Sequence, residues 1–338
     1  MQKVPVLTAE EAAALVDDNI ILTTAGFVAS GMPEALTKAL EERFLATGHP
    51  SGLTLLYAAA QGNRDGSGAD HFAHPGMTRR VIGGHWNMAP ALGQLVLENQ
   101  IEGYNLPQGT LSQLFRETAA HRPGVLTHVG LGTFVDPRQE GGKLNRIASL
   151  DLVELVTFRG KEQLFYPSIP VQMAFLRGTT ADEYGNITME HEVAPLEATS
   201  IAQAAKNSGG RVIVQVERLA AGGSLDPKLV KIPGICVDAV VVCQNPEQHA
   251  QCVGCSYDGS MSGEWKAPDG SAVIPPLSAK KVIARRAALE LRENSVVNLG
   301  IGIPEYVSLV AAEEGIDSYM TLTVEAGPVG GSPQGGAR

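Results

Sequence analysis

The sequence predicts an α/β fold in which an open, mostly parallel sheet has helices on both faces, followed by the beginning of a second, similar α/β domain. Two observations support this class. Short apolar, β-branched runs alternate with amphipathic helical runs along most of the chain, which is the pattern of parallel sheets. The 38 glycines cluster in short turns directly after the apolar runs, as sites built from loops on an α/β scaffold require.

The first unit of this pattern is a helix, a strand, a glycine loop and a second helix. A capping-box pattern at residues 8–11 opens an Ala-rich helix. Residues 20–24 (IILTT) follow as a short buried strand, and GFVASGMP at residues 26–33 leads into the helical run EALTKALEERFLA. Pro33 suits the first turn of that helix, because a backbone N–H would have no helical partner there.

The same rhythm continues for about two hundred residues. Helices are predicted from Ala89 and at residues 111–121 and 198–210, the last one closing on glycine. The predicted strands are residues 53–59, 81–84, 152–158, 211–219 and 239–243.

The domain organisation follows from where this rhythm stops and starts again. Residues 1–244 are predicted to form the N-terminal α/β domain. Residues 245–278 lose periodicity and contain Pro-Asp-Gly and Pro-Pro turns, which predicts a surface excursion and linker. In residues 279–338 the order helix, strand, glycine turn and helix returns, so this part is predicted to begin a second, similar domain.

Composition and charge narrow the class of function. With 338 residues, 44% hydrophobic and 18% charged, the chain is an ordinary globular protein of about two domains. The net charge of −10 argues against nucleic-acid binding, although a local site can still hold an anionic ligand. The N-terminus lacks the apolar core of a signal peptide, and no apolar run reaches membrane-spanning length. We therefore expect a cytoplasmic protein that has no membrane or nucleic-acid partner.

The four cysteines are Cys236, Cys243, Cys252 and Cys255. Cys252 and Cys255 have C-x-x-C spacing, but no second pair or His cluster completes a tetrahedral zinc site. His249 and Cys243 are the remaining candidate ligands. The interpretation that we favour is reduced structural thiols and no bound metal.

The glycine turns do not match the common nucleotide-binding motifs. Gly300-Ile301-Gly302 lies between a strand and a helix, but the third glycine of G-x-G-x-x-G would fall on Glu305. The sequence also has no P-loop and no serine-hydrolase elbow. Such turns still offer backbone N–H groups at helix starts, which can hold a carboxylate or an oxyanion. The alternative is that they are strand-to-helix turns without a chemical role.

Two side chains stand out as candidates for chemistry. Gln108 lies between a strand and a helix with Pro107 before it and Gly109 after it, so its amide could donate to a developing oxyanion. Glu325 ends the predicted strand YMTLTVE, at the strand end where open α/β sheets bind ligands. Taken singly, Gln108 could be an ordinary helix-start residue and Glu325 a solvated carboxylate. The histidines form no obvious site, and His85 is interpreted as packing or substrate contact.

Five motifs taken together resemble the family I acyl-CoA transferases, and among them the acetate or propionate CoA-transferase type. They are GFVASGMP (26–33), NLPQGT (105–110), ADEYGN (181–186), NLGIGIPE (298–305) and TVEAGPVGG (323–331). They occur in family order across nearly the whole chain. Around the glutamate this chain has V-E-A-G, which resembles the acetate/propionate type rather than the S-E-N-G of related members.

The resemblance implies roles for particular residues. Glu325 would attack the acyl-CoA thioester and become a glutamyl-CoA thioester, with Gln108 as oxyanion donor. The partners would be acyl-CoA and small carboxylates, with coenzyme A as a substrate, no bound cofactor, and a homo-oligomeric enzyme. The glycines expected to contact CoA or substrate are Gly26, Gly31, Gly300, Gly302, Gly327, Gly330 and Gly331.

One departure from the family concerns length, because family members of this type have a complete second domain beyond the glutamate. We expect either a missing C-terminal half or a complementing chain, and this chain alone to be inactive. Two other functions stay open from the residues. One is an acyl-CoA hydrolase on the same scaffold, and the other is a non-enzymatic sugar-phosphate sensor, for which no DNA-binding module is visible.

Overall fold

The computed structural model describes residues 2–266, 274–324 and 327–330. The chain divides into two compact units, Met1–Glu264 and Trp265–Arg338. The first unit therefore includes the first part of the predicted linker, and His249, Gln251 and Cys252 are buried there.

The elements of the first unit follow the predicted alternation. Its strands are β1 (Val6–Leu7), β2 (Ile21–Thr24), β3 (Leu53–Tyr57), β4 (Thr78–Gly83), β5 (Glu102–Asn105), β6 (Gly124–Thr127), β7 (Glu154–Phe158), β8 (Lys161–Pro167), β9 (Met173–Arg177), β10 (Thr180–Asp182), β11 (Ile187–Thr188), β12 (Arg211–Val216), β13 (Arg218–Ala220), β14 (Val230–Ile232) and β15 (Ala239–Val242). Its α-helices are α1 (Ala9–Ala14), α2 (Glu34–Thr47), α3 (Pro90–Leu97), α4 (Gln108–Ala119), α5 (Ala198–Asn207) and α6 (Gly259–Ser262). Short 3₁₀ helices lie at Gly68–Phe72, Gly234–Cys236 and Pro246–His249.

Eight strands form one parallel sheet in the order β1-β15-β12-β9-β2-β3-β4-β5. Strands β2 to β5 lie side by side in chain order, whereas the other neighbour of β2 is β9, in which Met173 pairs with Leu22. The predicted parallel α/β sheet is confirmed. The capping box that opens α1 is also present, with Thr8 and Glu11 satisfying each other's backbone N–H groups.

Helices cover both faces of this sheet, as predicted. On one face, α1, α2 and α3 bury an apolar cluster that includes Leu36, Leu40 and Leu92. On the other face, α4 and α5 bury a second cluster that includes Leu114 and Ile201. Neighbouring strand residues point to opposite faces, so the six inner strands β15, β12, β9, β2, β3 and β4 contribute to both clusters.

Two smaller sheets complete the first unit. Strands β6, β8 and β7 form an antiparallel sheet in that order, so the predicted strand at residues 152–158 lies outside the parallel sheet. Strands β13, β10, β11 and β14 form a mixed sheet, and the ADEYGN motif begins within β10.

The second unit repeats the order of elements seen at the start of the chain. Helix α7 (Ala279–Ala288) precedes β16 (Ser295–Leu299), and helix α8 (Glu305–Glu313) with a 3₁₀ turn at Asp317–Tyr319 leads to β17 (Met320–Val324). The two strands pair in parallel. Val307, Val310 and Leu322 are among the residues of the apolar cluster between helices and strands. The second unit thus has the helix, strand, glycine turn and helix order on which the prediction of a second α/β domain rests, and that domain stays a prediction.

Candidate active site

The carboxyl ends of β2, β3, β4 and β5 meet at one edge of the parallel sheet. The segments that leave the strands at this edge are residues 26–33 after β2, 58–62 after β3, Gly84 after β4 and Gln108 after β5. Open α/β sheets bind ligands at such an edge. The structure thus brings Gly26, Gly31 and Gln108, three predicted site residues, to the same edge.

The loop at residues 26–33 is built around a tight turn. The backbones of Phe27 and Ser30 exchange two hydrogen bonds, of 2.9 and 3.1 Å. Within the turn Val28 has φ +53°, a left-handed conformation that a β-branched side chain rarely adopts and that stores strain. The Gly62 N–H donates to the Val28 carbonyl at 2.8 Å, which helps to hold the strained residue in place.

A glycine is required at position 26 because the Gln61 side chain packs closely against its Cα. Gly26 has φ +148°, and a Cβ at this position would lie 2.7 Å from Cγ of Gln61. Gln61 is buried, and its Nε2 donates to the Thr24 carbonyl at 3.2 Å, so it closes the end of β2. Gly31 also packs closely, with its Cβ position 3.4 Å from the Gly26 Cα. The two predicted glycines therefore fix the shape of the loop.

Gln108 is the first residue of α4 and is half-buried. Its Cα approaches Gly84 so closely that a Cβ on Gly84 would lie 2.6 Å away. Pro107 precedes the helix and provides no side-chain cap. Among the described residues the side-chain amide of Gln108 has no hydrogen-bond partner, so it is available to donate to a ligand at the sheet edge.

A buried polar cluster lies at the carboxyl ends of β9 and β12, next to the same loop. Arg177 pairs with Glu192, with Nε and Oε1 3.0 Å apart and the side chains only 5% and 4% exposed. The Arg177 guanidinium also donates to the carbonyls of Ala250 (2.7 Å), His249 (3.3 Å) and Met32 (3.5 Å). This cluster ties the end of the 26–33 loop to the segment around His249.

Gln215 connects this cluster to helix α2. Its Oε1 accepts from the N–H groups of Ala35 (2.9 Å) and, more weakly, Leu36 (3.4 Å), which are free donors at the start of a helix. Its Nε2 donates to the Gln248 carbonyl and to Nδ1 of His249. Sequence reasoning missed this residue. A glutamine inside the apolar run VIVQV was the available signal, because a buried amide needs partners.

His249 is neutral in this setting. Burial, followed by the charge of Arg177, lowers the pKa of His249 to about 3. Its Nε2 is buried, has no hydrogen-bond partner among the described residues, and lies 3.9 Å from Oε1 of Glu192. The imidazole therefore acts as a neutral packing element rather than as a base.

A second histidine is held between two carboxylates. Nε2 of His71 lies 2.6 Å from Glu34, and Nδ1 lies 2.6 Å from Glu41. Burial lowers the pKa of His71, but the hydrogen bonds and charges of Glu34 and Glu41 outweigh it, so the net shift is upward. Because Glu34 follows Pro33 directly, this charged group lies at the start of α2. No local pattern predicts this pairing, because His71 lies 30 residues from Glu41 and 37 residues from Glu34 in the chain.

In the second unit the glycine turn follows β16 and precedes α8. Gly302 has φ +90°, and its N–H donates to Oε1 of Glu305 at 2.8 Å. Glu305, which stands where the dinucleotide-binding motif has its third glycine, thus accepts a hydrogen bond from one of the backbone N–H groups of the turn. Leu299 pairs with Val324, so β16 and β17 end at the same edge. Gly300 and Gly302 lie immediately beyond that edge.

The glycines after β17 turn back along it. Gly330 donates to the Leu322 carbonyl at 2.8 Å, and Gly327 donates to the Val324 carbonyl at 2.9 Å. Glu325, the predicted nucleophile, and Gly331 lie outside the described residues. Their roles therefore stay predictions.

The residues that the structure describes contain no group of three or more His, Cys, Asp or Glu side chains arranged to hold a metal ion. Within the same residues, no helix combines the length and apolar character needed to cross a membrane. The four cysteines are free thiols.

Comparison with known proteins gives a consistent result. Residues 6–243 match the family model described as "Coenzyme A transferase". The chain is 45% identical over 327 residues to the caffeate CoA-transferase of Acetobacterium woodii, covering 97% of this chain and 62% of that protein. It is 41% identical over 331 residues to the acetate CoA-transferase YdiF of Escherichia coli K12, with the same two coverages.

A solved structure matches in three dimensions as well. The acyl-CoA transferase YdiF of E. coli O157:H7, described as a thioester complex with CoA, aligns with a TM-score of 0.89 at 41% identity. The alignment covers 97% of this chain and 66% of that one. The chain thus spans 62% of the length of the two curated relatives.

Proposed function

The chain belongs to the coenzyme A transferase family, and we propose that the protein moves CoA from a short-chain acyl-CoA to a second carboxylic acid by a ping-pong mechanism. The observation that carries this proposal is the position of Gln108. It lies at the carboxyl edge of the parallel sheet, beside the 26–33 loop, with no hydrogen-bond partner for its amide among the described residues.

We assign the nucleophile to Glu325, which follows β17 directly in the sequence. Its carboxylate oxygen attacks the thioester carbonyl and expels CoA thiolate, leaving a mixed acyl-glutamyl anhydride. The thiolate then attacks the glutamyl carbonyl, so the first acid leaves as a carboxylate and a glutamyl-CoA thioester remains. The second acid takes CoA by the reverse sequence. The thioester energy is retained throughout, so the stoichiometry needs no ATP.

Each addition step places negative charge on a carbonyl oxygen. A donor that is already oriented stabilises this charge without reorganisation, and one such donor typically contributes about 10²–10³-fold to the rate. We assign this role to the amide of Gln108, with the backbone N–H groups of the glycine turns as further donors. Water must be kept from the two glutamyl intermediates, because both hydrolyse.

The test uses the complete natural protein. Borohydride added after incubation with acyl-CoA reduces a glutamyl thioester, and peptide mass analysis should locate the reduced side chain at Glu325. Glu325→Gln should give no trapped product. Glu290→Gln, at an exposed position in the turn after α7, should trap as the wild type does. An unmodified Glu325 during turnover would contradict the mechanism.

The acceptor acid is tested in the same preparation. CoA release measured with and without acceptor separates transfer from hydrolysis, because only a hydrolase releases free CoA when no acceptor is present. The acceptor panel should include acetate and caffeate, since these acids name the two curated relatives.

We further infer a cytoplasmic homo-oligomer that has no resident cofactor. Light scattering of the purified protein and elemental analysis test the oligomer and the metal content.

A further inference from the structure

Two tight turns lie edge to edge at the carboxyl end of β2. One is the Phe27–Ser30 turn of the glycine loop, and the other is formed by residues 252–255. Ser30 and Cys252 pair as antiparallel neighbours, and the Val253 N–H donates to the Ala29 carbonyl at 2.9 Å. The C-x-x-C segment, which the proposed transfer chemistry does not use, therefore touches the strained loop directly.

The geometry of the second turn suits a disulfide. The Cys252 N–H donates to the Cys255 carbonyl at 3.2 Å, and the Cys255 N–H donates back at 3.0 Å. Gly254 takes the left-handed conformation, φ +78°, that such a turn needs at its third position. Residues that exchange both backbone hydrogen bonds have Cα atoms about 5.5 Å apart. Disulfides span about 4.4–6.8 Å between Cα atoms, so the pair lies within range.

The two thiols differ in access. Cys252 is buried, at 5% exposure, and its sulfur lies 3.9 Å from that of Met261. Cys255 is half-exposed. Burial, followed by the neighbouring Cys255 thiol, raises the pKa of Cys252 to about 11. Cys255 is therefore the thiol that reagents reach. Cys252 is placed to attack the mixed disulfide that forms on Cys255.

We propose that Cys252 and Cys255 form a redox-active dithiol that closes to a disulfide on reaction with a low-molecular-weight disulfide, and that this closure stiffens the Phe27–Ser30 turn. The inference goes beyond CoA transfer and does not depend on it.

The chemistry is an ordinary thiol–disulfide exchange. The Cys255 thiolate attacks one sulfur of the oxidant, forming a mixed disulfide and releasing one small thiolate. The Cys252 thiolate then attacks the Cys255 sulfur and releases the second small thiolate. Two protein thiols lose two protons and two electrons, and the oxidant is reduced to two thiols.

The effect on the loop follows from two hydrogen bonds. Two consecutive carbonyls of the loop are held from outside it, because the Gly62 N–H donates to the carbonyl of the strained Val28 and the Val253 N–H donates to the carbonyl of Ala29. Val253 lies inside the turn that the disulfide would close, so oxidation removes freedom from its N–H group. The loop would then open less often while the disulfide is present.

The first test is chemical. The native protein is incubated with glutathione disulfide, and remaining thiols are counted and mapped by peptide mass analysis. We expect two of the four thiols to disappear with loss of two hydrogen atoms, through a Cys252–Cys255 link, while Cys236 and Cys243 stay reduced. A protein that keeps all four thiols, or that only carries glutathione on Cys255, overturns the proposal. Cys243→Ser should react like the wild type, and Cys255→Ser should form no intramolecular link.

The second test addresses the loop. Hydrogen exchange at the Val253 amide is compared between oxidised and reduced protein, with Cys255→Ser treated in the same way. We expect exchange roughly ten-fold slower after oxidation, and no change in the variant. Equal rates in the oxidised and reduced wild-type protein would overturn the proposed stiffening of the turn.

Discussion

Nδ1 of His249 accepts a hydrogen bond of 2.9 Å from Nε2 of Gln215. The orientation of the Gln215 amide is fixed, because its Oε1 accepts from the Ala35 N–H and its Nε2 also faces the Gln248 carbonyl. The ring proton of His249 therefore stands on Nε2. Protonating Nδ1 would break the bond to Gln215 and place a second positive charge near Arg177, which agrees with a pKa of about 3.

This geometry predicts that His249 weakens the protein in acid. A folded-state pKa of about 3 lies below the unfolded value of about 6.5. Between these two pH values only the unfolded chain binds this proton. The contribution of neutral His249 to the free energy of unfolding is therefore fully present above pH 6.5 and decreases as the pH falls. The expected loss is about 3 kcal/mol between pH 6.5 and pH 4. Urea unfolding curves across this range measure it.

His249→Asn is the matched variant, because its side-chain oxygen can accept from Gln215 without titrating. Its unfolding free energy should fall less steeply in acid. His128→Asn, at an exposed position, should keep the wild-type slope. Equal acid slopes in wild type and His249→Asn would contradict the assignment.

The pKa shift of His71 predicts the opposite pH dependence of stability. Its folded-state pKa is raised by Glu34 and Glu41 against the effect of burial. The stabilisation is therefore fully present below the unfolded value and is lost as the pH rises through the folded value. His71→Gln should flatten the decline of the unfolding free energy on the alkaline side of pH 6.5. A variant that declines as steeply as the wild type there would show that other groups are responsible.

The buried ion pair of Arg177 and Glu192 predicts a large effect of neutralising one partner. Glu192→Gln leaves the guanidinium charge buried without a carboxylate, and such changes cost about 3–5 kcal/mol. Glu162→Gln, which removes an exposed partner of Arg138, serves as control and should leave the denaturant midpoint unchanged. The idea fails if the two variants unfold at the same urea concentration.

Gln108 is predicted to act on rate rather than on stability. Gln108→Ala in the complete natural protein should lower kcat for CoA transfer by about 10²-fold, because one oxyanion donor is removed. Gln113→Ala, at an exposed position of the same helix, should leave kcat unchanged. A Gln108→Ala enzyme with wild-type kcat would exclude the side chain as a donor.

Two glycines near Gln108 are predicted to respond in opposite ways to alanine. Gly84→Ala places a Cβ 2.6 Å from the Gln108 Cα, and such overpacking costs about 1–3 kcal/mol. At Gly109, inside α4, a Cβ would meet nothing within 4 Å. Gly109→Ala should therefore stabilise the protein by up to about 1 kcal/mol, through helix propensity. Thermal unfolding of the two variants measures both effects, and a stabilised Gly84→Ala would contradict the packing argument.

The sequence was sufficient to predict the elements that have clear hydrophobic periodicity and that begin or end at proline or glycine. The β-branched runs at residues 211–216 and 239–242 are strands, and α2 follows its proline as predicted. Strand β9 was missed because Met-Ala-Phe-Leu-Arg contains no β-branched residue and is equally compatible with a helix. Its central place in the sheet decides its conformation. Strand β8 was missed because it opens with the polar residues Lys161, Glu162 and Gln163.

Much of the candidate site was also within reach of sequence, but the polar network around it was not. Gly26, Gly31 and Gln108 were identified from motifs whose residues are adjacent in the chain. Arg177, Gln215 and His249 come from three segments that meet only after the sheet has formed. No local sequence pattern predicts this cluster, because its residues come together only through tertiary contacts.

The pairing of β1 with β15 has a consequence for synthesis. Val6 and Val240 are neighbours in the sheet, so β1 leaves the ribosome long before its partner strand β15 has been synthesised. At about 5–20 residues per second, that delay is roughly ten to fifty seconds. Strands β2 to β5 can pair with one another during this time, whereas β1 stays without its partner until translation has passed residue 242. A nascent chain stalled before that point would leave one border of the sheet open to other proteins.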